Sequence, residues 1–322
     1  MDFSSNNRTL GLSFALALAL AAGCGNYSNE DLEFMNAMPA RSELSADIPA
    51  RSALTVGNEA ELAKSTHNVA KTFNGMLFEI LGSVDLIRSF PPSQRGHNSR
   101  TWGPVPQEKR PGWQWHFVVA RDAANPMTFA YALQLQRTTD PDDVWIRFLD
   151  GEFTSSKSAR RGVGWFTMQT DDLRKADYPF DADGAKIQSI HVEYATADFP
   201  IMVKMDMMTF PDPLDLTQTV TTTYEYGAQS NGQGALKFTI TGNLDPTTPA
   251  LETLTVTSRW LPSGEGRADA RIAVGDGVGA TETQCWNSDF TPSFTEKPWG
   301  QTPDSPDVSG GDESLCPQFA EF

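Results

Sequence analysis

Four histidines are the side chains best suited to acid–base chemistry or metal binding near neutral pH: His67, His97, His116 and His191. None of them pairs in an H-x-H or H-x-x-x-H pattern or neighbours a cysteine, so their spacing predicts no zinc site. The chain also lacks the G-x-S-x-G, P-loop and glycine-rich dinucleotide patterns. A hydrolase would have to assemble an acid and a nucleophile in one cleft beside His116 or His191. We predict no catalytic residue, no metal site and no cofactor.

A methionine cluster offers a second kind of chemistry. Met202, Met205, Met207 and Met208 lie in one predicted strand, and thioethers are soft ligands that suit Cu(I). Strand alternation, however, puts Met205 and Met207 on one face and the other two on the opposite face. Because methionine also fills irregular apolar gaps, a pliable apolar wall is the alternative that we favour.

The N-terminus carries an export signal. One basic residue, Arg8, precedes a thirteen-residue apolar run that ends at Ala22. As a helix this run is about 20 Å long, which is too short to cross a hydrocarbon core of about 30 Å. A charged start, a short apolar run and small residues at its end are typical of a secretory signal peptide, which we place at residues 1–23.

The junction Leu20-Ala21-Ala22-Gly23-Cys24 resembles the lipobox of bacterial lipoproteins. In that family the cysteine is lipidated and becomes the first residue of the mature chain, so the resemblance implies lipidation of Cys24 and a membrane as a partner. An ordinary secretory signal is the alternative. The residue after Cys24 is Gly25 and not Asp, which implies sorting to the outer membrane of the bacterial cell envelope, on its periplasmic or its surface face.

Export gives the other two cysteines a role. Once Cys24 is assigned, Cys285 and Cys316 remain, and an exported chain meets an oxidising compartment in which such a pair should form a disulfide. The bridge would close a loop of about 30 residues, which in the loop-entropy model stabilises the fold by roughly 3–4 kcal/mol. Two isolated cysteines without a nearby histidine supply too few ligands for zinc.

The charge of the chain limits its partners. It has 322 residues with 41 acidic and 25 basic side chains, and its formal net charge is −16. Nucleic-acid binding needs clustered Lys and Arg, so we predict no nucleic-acid partner. The same charge argues against docking on an anionic lipid surface by electrostatics alone.

A polar segment separates the signal from the rest of the chain. Residues 24–56 are predicted to be the lipidated cysteine and a flexible tether, long enough to lift a domain clear of the bilayer. An apolar patch inside it is more apolar than a tether needs and could dock on the domain or on the membrane: Leu32, Phe34, Met35 and Met38. Residues 57–322 are predicted to form a single helix-plus-β-barrel domain.

Apolar residues at helical spacing predict one long helix from Asn58 to about Arg88. Opposite its apolar stripe, the second half carries four residues that are not polar: Gly75, Phe78, Gly82 and Leu86. Two glycines seven residues apart allow another backbone to approach closely. We therefore predict that this half is covered on both sides, either inserted in a cleft or packed between a sheet and a loop.

From Trp113 onward the apolar period changes to two, and about eleven strands follow. They are predicted near residues 113–119, 129–135, 144–154, 163–170, 186–196, 201–210, 217–226, 235–242, 252–260, 267–274 and 281–286. Asp150-Gly151 inside the third of them is a turn or a bulge. The fold class is mainly β: an antiparallel meander curled into a barrel or half-barrel, with the helix packed against it and a C-terminal loop held by Cys316.

This layout resembles the LolA/LppX group of envelope carriers over about residues 58 to 296. The resemblance implies a curled sheet that binds acyl chains. The expected pocket is lined by Gly75, Phe78, Gly82, Leu86, Trp113, Trp115, Met205 and Met207. The runs Gly264 to Ala270, Cys285-Trp286 and Gly311 to Cys316 resemble uncharacterised lipoproteins of myxobacteria. The alternative to a carrier of a hydrophobic or lipid ligand is a non-catalytic envelope scaffold that acts through its surface, with a filled core and an exposed apolar patch.

Overall fold

The computed structural model describes residues 27–49, 59–156, 160–181, 186–209, 220–242, 251–275, 277–297 and 310–319. Its main feature is one antiparallel sheet of fifteen strands, whose hydrogen-bonded order follows the chain order from β1 to β15. The strands are β1 (Gln94–Gly96), β2 (Ser99–Pro106), β3 (Trp113–Arg121), β4 (Thr128–Arg137), β5 (Ile146–Ser155), β6 (Gly162–Gln169), β7 (Ile187–Ala195), β8 (Ile201–Thr209), β9 (Val220–Ala228), β10 (Gly234–Gly242), β11 (Glu252–Trp260), β12 (Gly266–Val274), β13 (Thr281–Trp286), β14 (Pro292–Glu296) and β15 (Gly310–Gly311).

Four helices accompany the sheet: α1 (Asn29–Met35), α2 (Arg41–Leu44), α3 (Glu61–Arg88) and α4 (Asp171–Lys175). A short 3₁₀ turn covers Glu313–Leu315. The long predicted helix is confirmed by α3, while its predicted first residue, Asn58, lies outside the described residues.

The mainly β class and the antiparallel meander are confirmed. All eleven predicted strands are present, as β3 to β13, because alternation of apolar and polar residues marks each of them. Among the described strands the order begins at β1 and ends at β15 without a pairing between these two, so the sheet is open. Of the two predicted alternatives, the closed barrel is therefore excluded.

Four strands were not predicted. Two of them, β1 and β2, lie between α3 and β3, and β14 and β15 are short strands near the end of the described residues. Pro104 and Pro106 lie in β2, and the pairing of β2 with β3 is interrupted between Trp102 and Val105. Proline cannot donate a ladder hydrogen bond, which is why this strand lacks a regular sequence pattern.

Glycines with positive φ form two turns of the meander. Gly232 (φ 83°) lies between β9 and β10, and Gly264 (φ 99°) lies between β11 and β12. The prediction for Asp150-Gly151 is wrong, because both residues pair regularly with β4 inside β5. A Cβ at Gly151 would lie 2.6 Å from the Tyr131 ring, so glycine makes room for that ring.

The chain divides into two compact units. Unit 1 contains the chain up to Arg41 together with Met76–Ser189, and unit 2 contains Ser42–Gly75 and Ile190–Phe322. In unit 1 the second half of α3 contributes a buried stripe: Met76, Leu77, Ile80, Leu81, Val84 and Ile87. The inward face of the strands in this unit is rich in aromatic side chains, including Trp102, Phe117, Tyr131, Phe153 and Phe166.

In unit 2 the first half of α3 packs on strands β9 to β13. The Phe73 and Tyr224 rings lie 5.9 Å apart, and the Thr66 and Ser258 hydroxyls are 2.6 Å apart and buried. The Leu62 N–H at the start of the helix donates to Gln284 Oε1 over 2.8 Å. This bond satisfies one of the amides that a helix N-terminus leaves without an intrahelical partner.

The segment that we expected to be a flexible tether is folded over residues 27–49, and this is a correction. Within unit 1, α1 buries Phe34, and Met38 beyond it is also buried. Within unit 2, the Asn74 side chain exchanges two hydrogen bonds with the Ala46 backbone, at 2.7 and 2.9 Å. Of the two alternatives for the apolar patch, docking on the folded protein is the one observed for Phe34 and Met38, because their burial removes them from water. Residues 24–26 and 50–56 lie outside the described residues.

The predicted disulfide is present in unit 2. It joins Cys285, which is buried on β13, to Cys316, which follows the 3₁₀ turn. The two cysteines are 31 residues apart in sequence. The bridge therefore ties the C-terminal segment 310–319 to the sheet.

Removing this bridge by Cys285→Ala together with Cys316→Ala is expected to lower the free energy of unfolding by about 3–4 kcal/mol, because the unfolded chain regains the entropy of an open 31-residue loop. Urea unfolding of the oxidised wild type and of the variant measures the difference. Added dithiothreitol should destabilise the wild type by a similar amount and leave the variant unchanged. Equal midpoints for the oxidised wild type and the variant would contradict the expectation.

Candidate functional site

The face of α3 that carries Phe78 and Leu86 is exposed. Phe78 is 56% exposed and Leu86 is 40% exposed, whereas Ile80 and Val84 on the other side are buried. The prediction that this half of the helix is covered on both sides is therefore wrong. Among the described residues of unit 1, the Arg41 guanidinium lies over this face, 4.2 Å from the centre of the Phe78 ring.

The two glycines of this face do not bring a second backbone close. No atom of the described chain lies within 4 Å of the position that a Cβ would take at Gly75. At Gly82 the nearest atom is Nη1 of the Arg41 side chain, at 3.6 Å, which is an ordinary contact distance. The predicted close approach is thus not observed at either position.

Replacing Gly75 by Ala is expected to raise the free energy of unfolding by about 0.5–1 kcal/mol, because alanine loses less backbone freedom than glycine on entering a helix. Urea unfolding measures this gain. Gly151→Ala is the matched control and should lose stability, since its Cβ would lie 2.3 Å from the Trp165 carbonyl oxygen. A loss of stability in Gly75→Ala would restore the close approach that the sequence predicted.

Beside the exposed face, three arginines contact one carboxylate. The Asp85 carboxylate oxygens lie 2.5 Å from Arg88 Nη2, 3.4 Å from Arg160 Nη2 and 3.7 Å from Arg41 Nε. Burial lowers the pKa of Arg88, and the nearby Asp85 carboxylate acts in the opposite direction. Arg88 also donates to the Met35 carbonyl, which links α3 to the end of α1. These four ionic side chains together carry a net positive charge.

The predicted pocket residues on β3 belong to the core of unit 1. Trp113 and Trp115 are both buried on the inward face of that strand. The Trp113 ring meets Tyr178 edge-on at 4.9 Å, and the Arg137 guanidinium lies 5.5 Å from its centre. Such aromatic contacts are typical of a packed core.

The methionines of β8 lie in unit 2 and divide between the two faces of the strand, as alternation predicts. Met205 is fully buried opposite Tyr224 of β9, and Met207 is half-buried. Met202 and Met208 are exposed on the other face. Met205 and Met207 thus share a face of the strand with core residues of unit 2.

His116 has an amide and an indole as its neighbours. Its Nε2 is 2.7 Å from the Gln134 side-chain oxygen, and its ring stacks on Trp145 at 3.6 Å. Burial lowers the pKa of His116, while the hydrogen bond with Gln134 acts in the opposite direction. His191 lies instead at the surface of β7, with Nε2 3.3 Å from a Glu193 carboxylate oxygen. Neither the Gln134 amide beside His116 nor the Glu193 carboxylate beside His191 is a nucleophile of the kind that a Ser or Cys hydrolase uses.

A buried ion pair positions α1, and the sequence prediction missed it. Asp31 is fully buried, and its carboxylate oxygens lie 2.5 Å from Arg100 Nε and 3.1 Å from Arg95 Nε. Ser28 and Asp31 form a capping box, in which each side chain bonds the backbone N–H of the other. The spacing S-x-x-D before apolar residues is the sequence signal that could have revealed this helix.

The start of the described chain lies against the end of α3. The Tyr27 hydroxyl donates to the Ser89 carbonyl over 2.6 Å. Ser28, the next residue, is the N-cap of α1. The contact thus ties the first described residue to the C-terminal end of α3.

Among the described residues, no group of three or more His, Cys, Asp or Glu is close enough to hold a metal ion. No helix in the same part of the chain is long and apolar enough to span a membrane.

The fold and site thus define a mainly β protein with an open antiparallel meander and an exposed helix face. No family model matches the chain, and no curated protein and no solved structure matches it either. The resemblances noted from the sequence therefore remain predictions, and function has to be argued from the residues themselves.

Proposed function

We propose that this chain is an outer-membrane lipoprotein of the bacterial cell envelope, anchored through Cys24, that acts through its surface and not by catalysis. The lipobox-like junction supports the anchor, although Cys24 lies outside the described residues. The bridge between Cys285 and Cys316 is consistent with export, because disulfides persist in oxidising compartments. Gly25 after the cysteine supports the outer membrane.

One observation carries the choice of a surface role over a carrier role. The large apolar side chains assigned to a ligand pocket on α3, Phe78 and Leu86, lie at the surface of unit 1. The aromatic ones, Trp113 and Trp115, are buried, and the Trp113 ring contacts Tyr178. Buried aromatic side chains beside an exposed apolar helix face favour the surface-acting alternative.

The anchor is tested by intact mass spectrometry of the wild-type protein extracted from the membranes of a bacterium that processes lipoproteins. We expect a chain that begins at Cys24 and carries acyl chains, and we expect Cys24→Ser to lose both the acyl mass and membrane retention. A non-acylated wild-type chain would contradict the proposal. Cys285→Ala with Cys316→Ala is the control, because it removes two other cysteines and should leave lipidation intact.

The surface role is tested by native mass spectrometry of the chain from Gly25 onward, exported without its lipobox. Residues 27–49 must be retained, because Phe34 and Leu44 are core residues. The expected mass is that of the protein alone. A bound acyl species in stoichiometric amount, lost on denaturation, would favour the carrier and overturn the surface role.

A further inference from the structure

The link between the anchor and the folded protein is short. From Cys24 to Tyr27 the chain advances by three residues, which span at most about 11 Å when fully extended. The Tyr27 hydroxyl is bonded to the Ser89 carbonyl, so the anchored cysteine lies within that span plus the length of one tyrosine side chain of the C-terminal end of α3.

Exposed apolar side chains lie close in sequence to both partners of this contact. Leu86 precedes Ser89 by three residues, and Leu32 follows Ser28 by four, so Leu86 lies about one helical turn from Ser89 and Leu32 about one turn from the residue after Tyr27. Leu86 is 40% exposed and Leu32 is 44% exposed. Phe78 lies about two turns further along α3 and about 80° around the helix from Leu86. These three side chains and Tyr27 are named the anchor-side surface.

The polar groups on this part of α3 suit a lipid interface. Arg41 and Arg160 are each about one-third exposed, and both contact Asp85. Exposed guanidinium groups bind phosphate oxygens, so these arginines can face phospholipid headgroups. Glu79 lies on the same arc of the helix as Leu86, and burial raises the pKa of its carboxyl group.

We propose that the anchor-side surface rests on the bilayer that holds Cys24, with Leu32, Phe78 and Leu86 in the interface and the arginines at the phosphates. This inference rests on the proposed lipoprotein. It differs from the sequence prediction of a domain lifted clear of the membrane, because residues 27–49 are folded and only Gly25 and Asn26 separate Cys24 from them. The net charge of the chain is −16 and would not by itself attract an anionic membrane. In this proposal the local group of arginines turns one side of the protein towards the bilayer.

The test uses the full mature lipoprotein, with its lipid, in vesicles of phosphatidylethanolamine and phosphatidylglycerol. A spin label is attached at Leu86→Cys or, as a matched control, at Val144→Cys. Val144 is similarly exposed, at 46%, but precedes β5, a ten-residue strand about 33 Å long. Arg160 follows the far end of β5 by five residues in sequence and contacts Asp85, the neighbour of Leu86 on α3. Both labels are in unit 1, and the strand separates residue 144 from this contact.

Collisions of each label with oxygen, which concentrates in lipid, and with a water-soluble nickel complex report its depth. We expect the label at residue 86 to lose most of its nickel collisions and gain oxygen collisions, while the label at residue 144 stays in water. Equal, aqueous behaviour of both labels on an acylated protein would overturn this inference and leave the proposed lipoprotein standing. A chain whose intact mass lacks the acyl group would overturn both.

Discussion

Phe34→Ala is expected to lower the free energy of unfolding by about 3–5 kcal/mol, the usual loss for an aromatic side chain removed from a packed core. Phe34 is fully buried although it lies only ten residues after Cys24. The edge of its ring faces Phe129 at 5.5 Å, and the guanidinium groups of Arg100 and Arg121 lie 4.6 and 4.8 Å from its centre. Urea unfolding followed by tryptophan fluorescence measures the loss.

Leu32→Ala is the matched control for this prediction. Leu32 is on the same helix, two residues earlier, but is 44% exposed, so its truncation should change the free energy of unfolding by less than about 0.5 kcal/mol in the absence of a membrane. A small effect of Phe34→Ala, equal to that of Leu32→Ala, would mean that α1 is not part of the folded unit. The tether predicted from the sequence would then be restored.

The strands and the long helix could be predicted because their signal is local. A half-buried strand alternates apolar and polar residues, and β3 does so from Trp113 to Val119. A helix on a core carries one apolar stripe, as α3 does. The open end of the meander could not be predicted, because alternation says which face is buried and not whether the first and last strands meet.

The folded N-terminal segment could not be predicted from composition. Its polar residues are typical of a tether, but Asp31 and Glu33 find partners far along the chain, at Arg100 and Arg121. Such pairs are fixed by tertiary structure and leave no periodic pattern. The capping-box spacing of Ser28 and Asp31 was the one local signal, and it marks where a helix begins without saying what it packs against.

The predicted pocket on α3 also could not be tested by sequence pattern alone. Because the second face of α3 has few polar side chains, the sequence predicted that another part of the protein packs on it. Gly75 and Gly82, however, present little apolar surface, and Phe78 is largely exposed. Periodicity separates the two sides of a helix and cannot say whether a protein, a lipid or water lies on the second side. For α3 the proposal of a lipid on that side rests on the Tyr27–Ser89 contact, which ties the first described residue to the end of the helix.

Asp31→Asn is expected to lower the free energy of unfolding by about 3 kcal/mol at neutral pH, because it leaves the buried Arg100 without its closest carboxylate. Glu30 remains 2.7 Å from Arg100, which places the loss at the lower end for a broken buried pair. Burial by itself would raise the pKa of Asp31. The hydrogen bonds from Arg100, the Ser28 N–H and Arg95 outweigh burial and hold that pKa down at about 2.

The pH dependence separates this charge from a simple loss of packing. Because the folded pKa of Asp31 is about 2 and its ordinary value is 3.8, the carboxylate stabilises the fold fully above about pH 4. That contribution is lost as the pH falls towards 2, so the difference between wild type and Asp31→Asn should shrink over this interval. Glu33→Gln is the matched control: its side chain is largely exposed, and losing its pair with Arg121 should cost less than about 1 kcal/mol. A difference between wild type and Asp31→Asn that stays constant from pH 7 to pH 2 would mean that the ionised Asp31 does not stabilise α1.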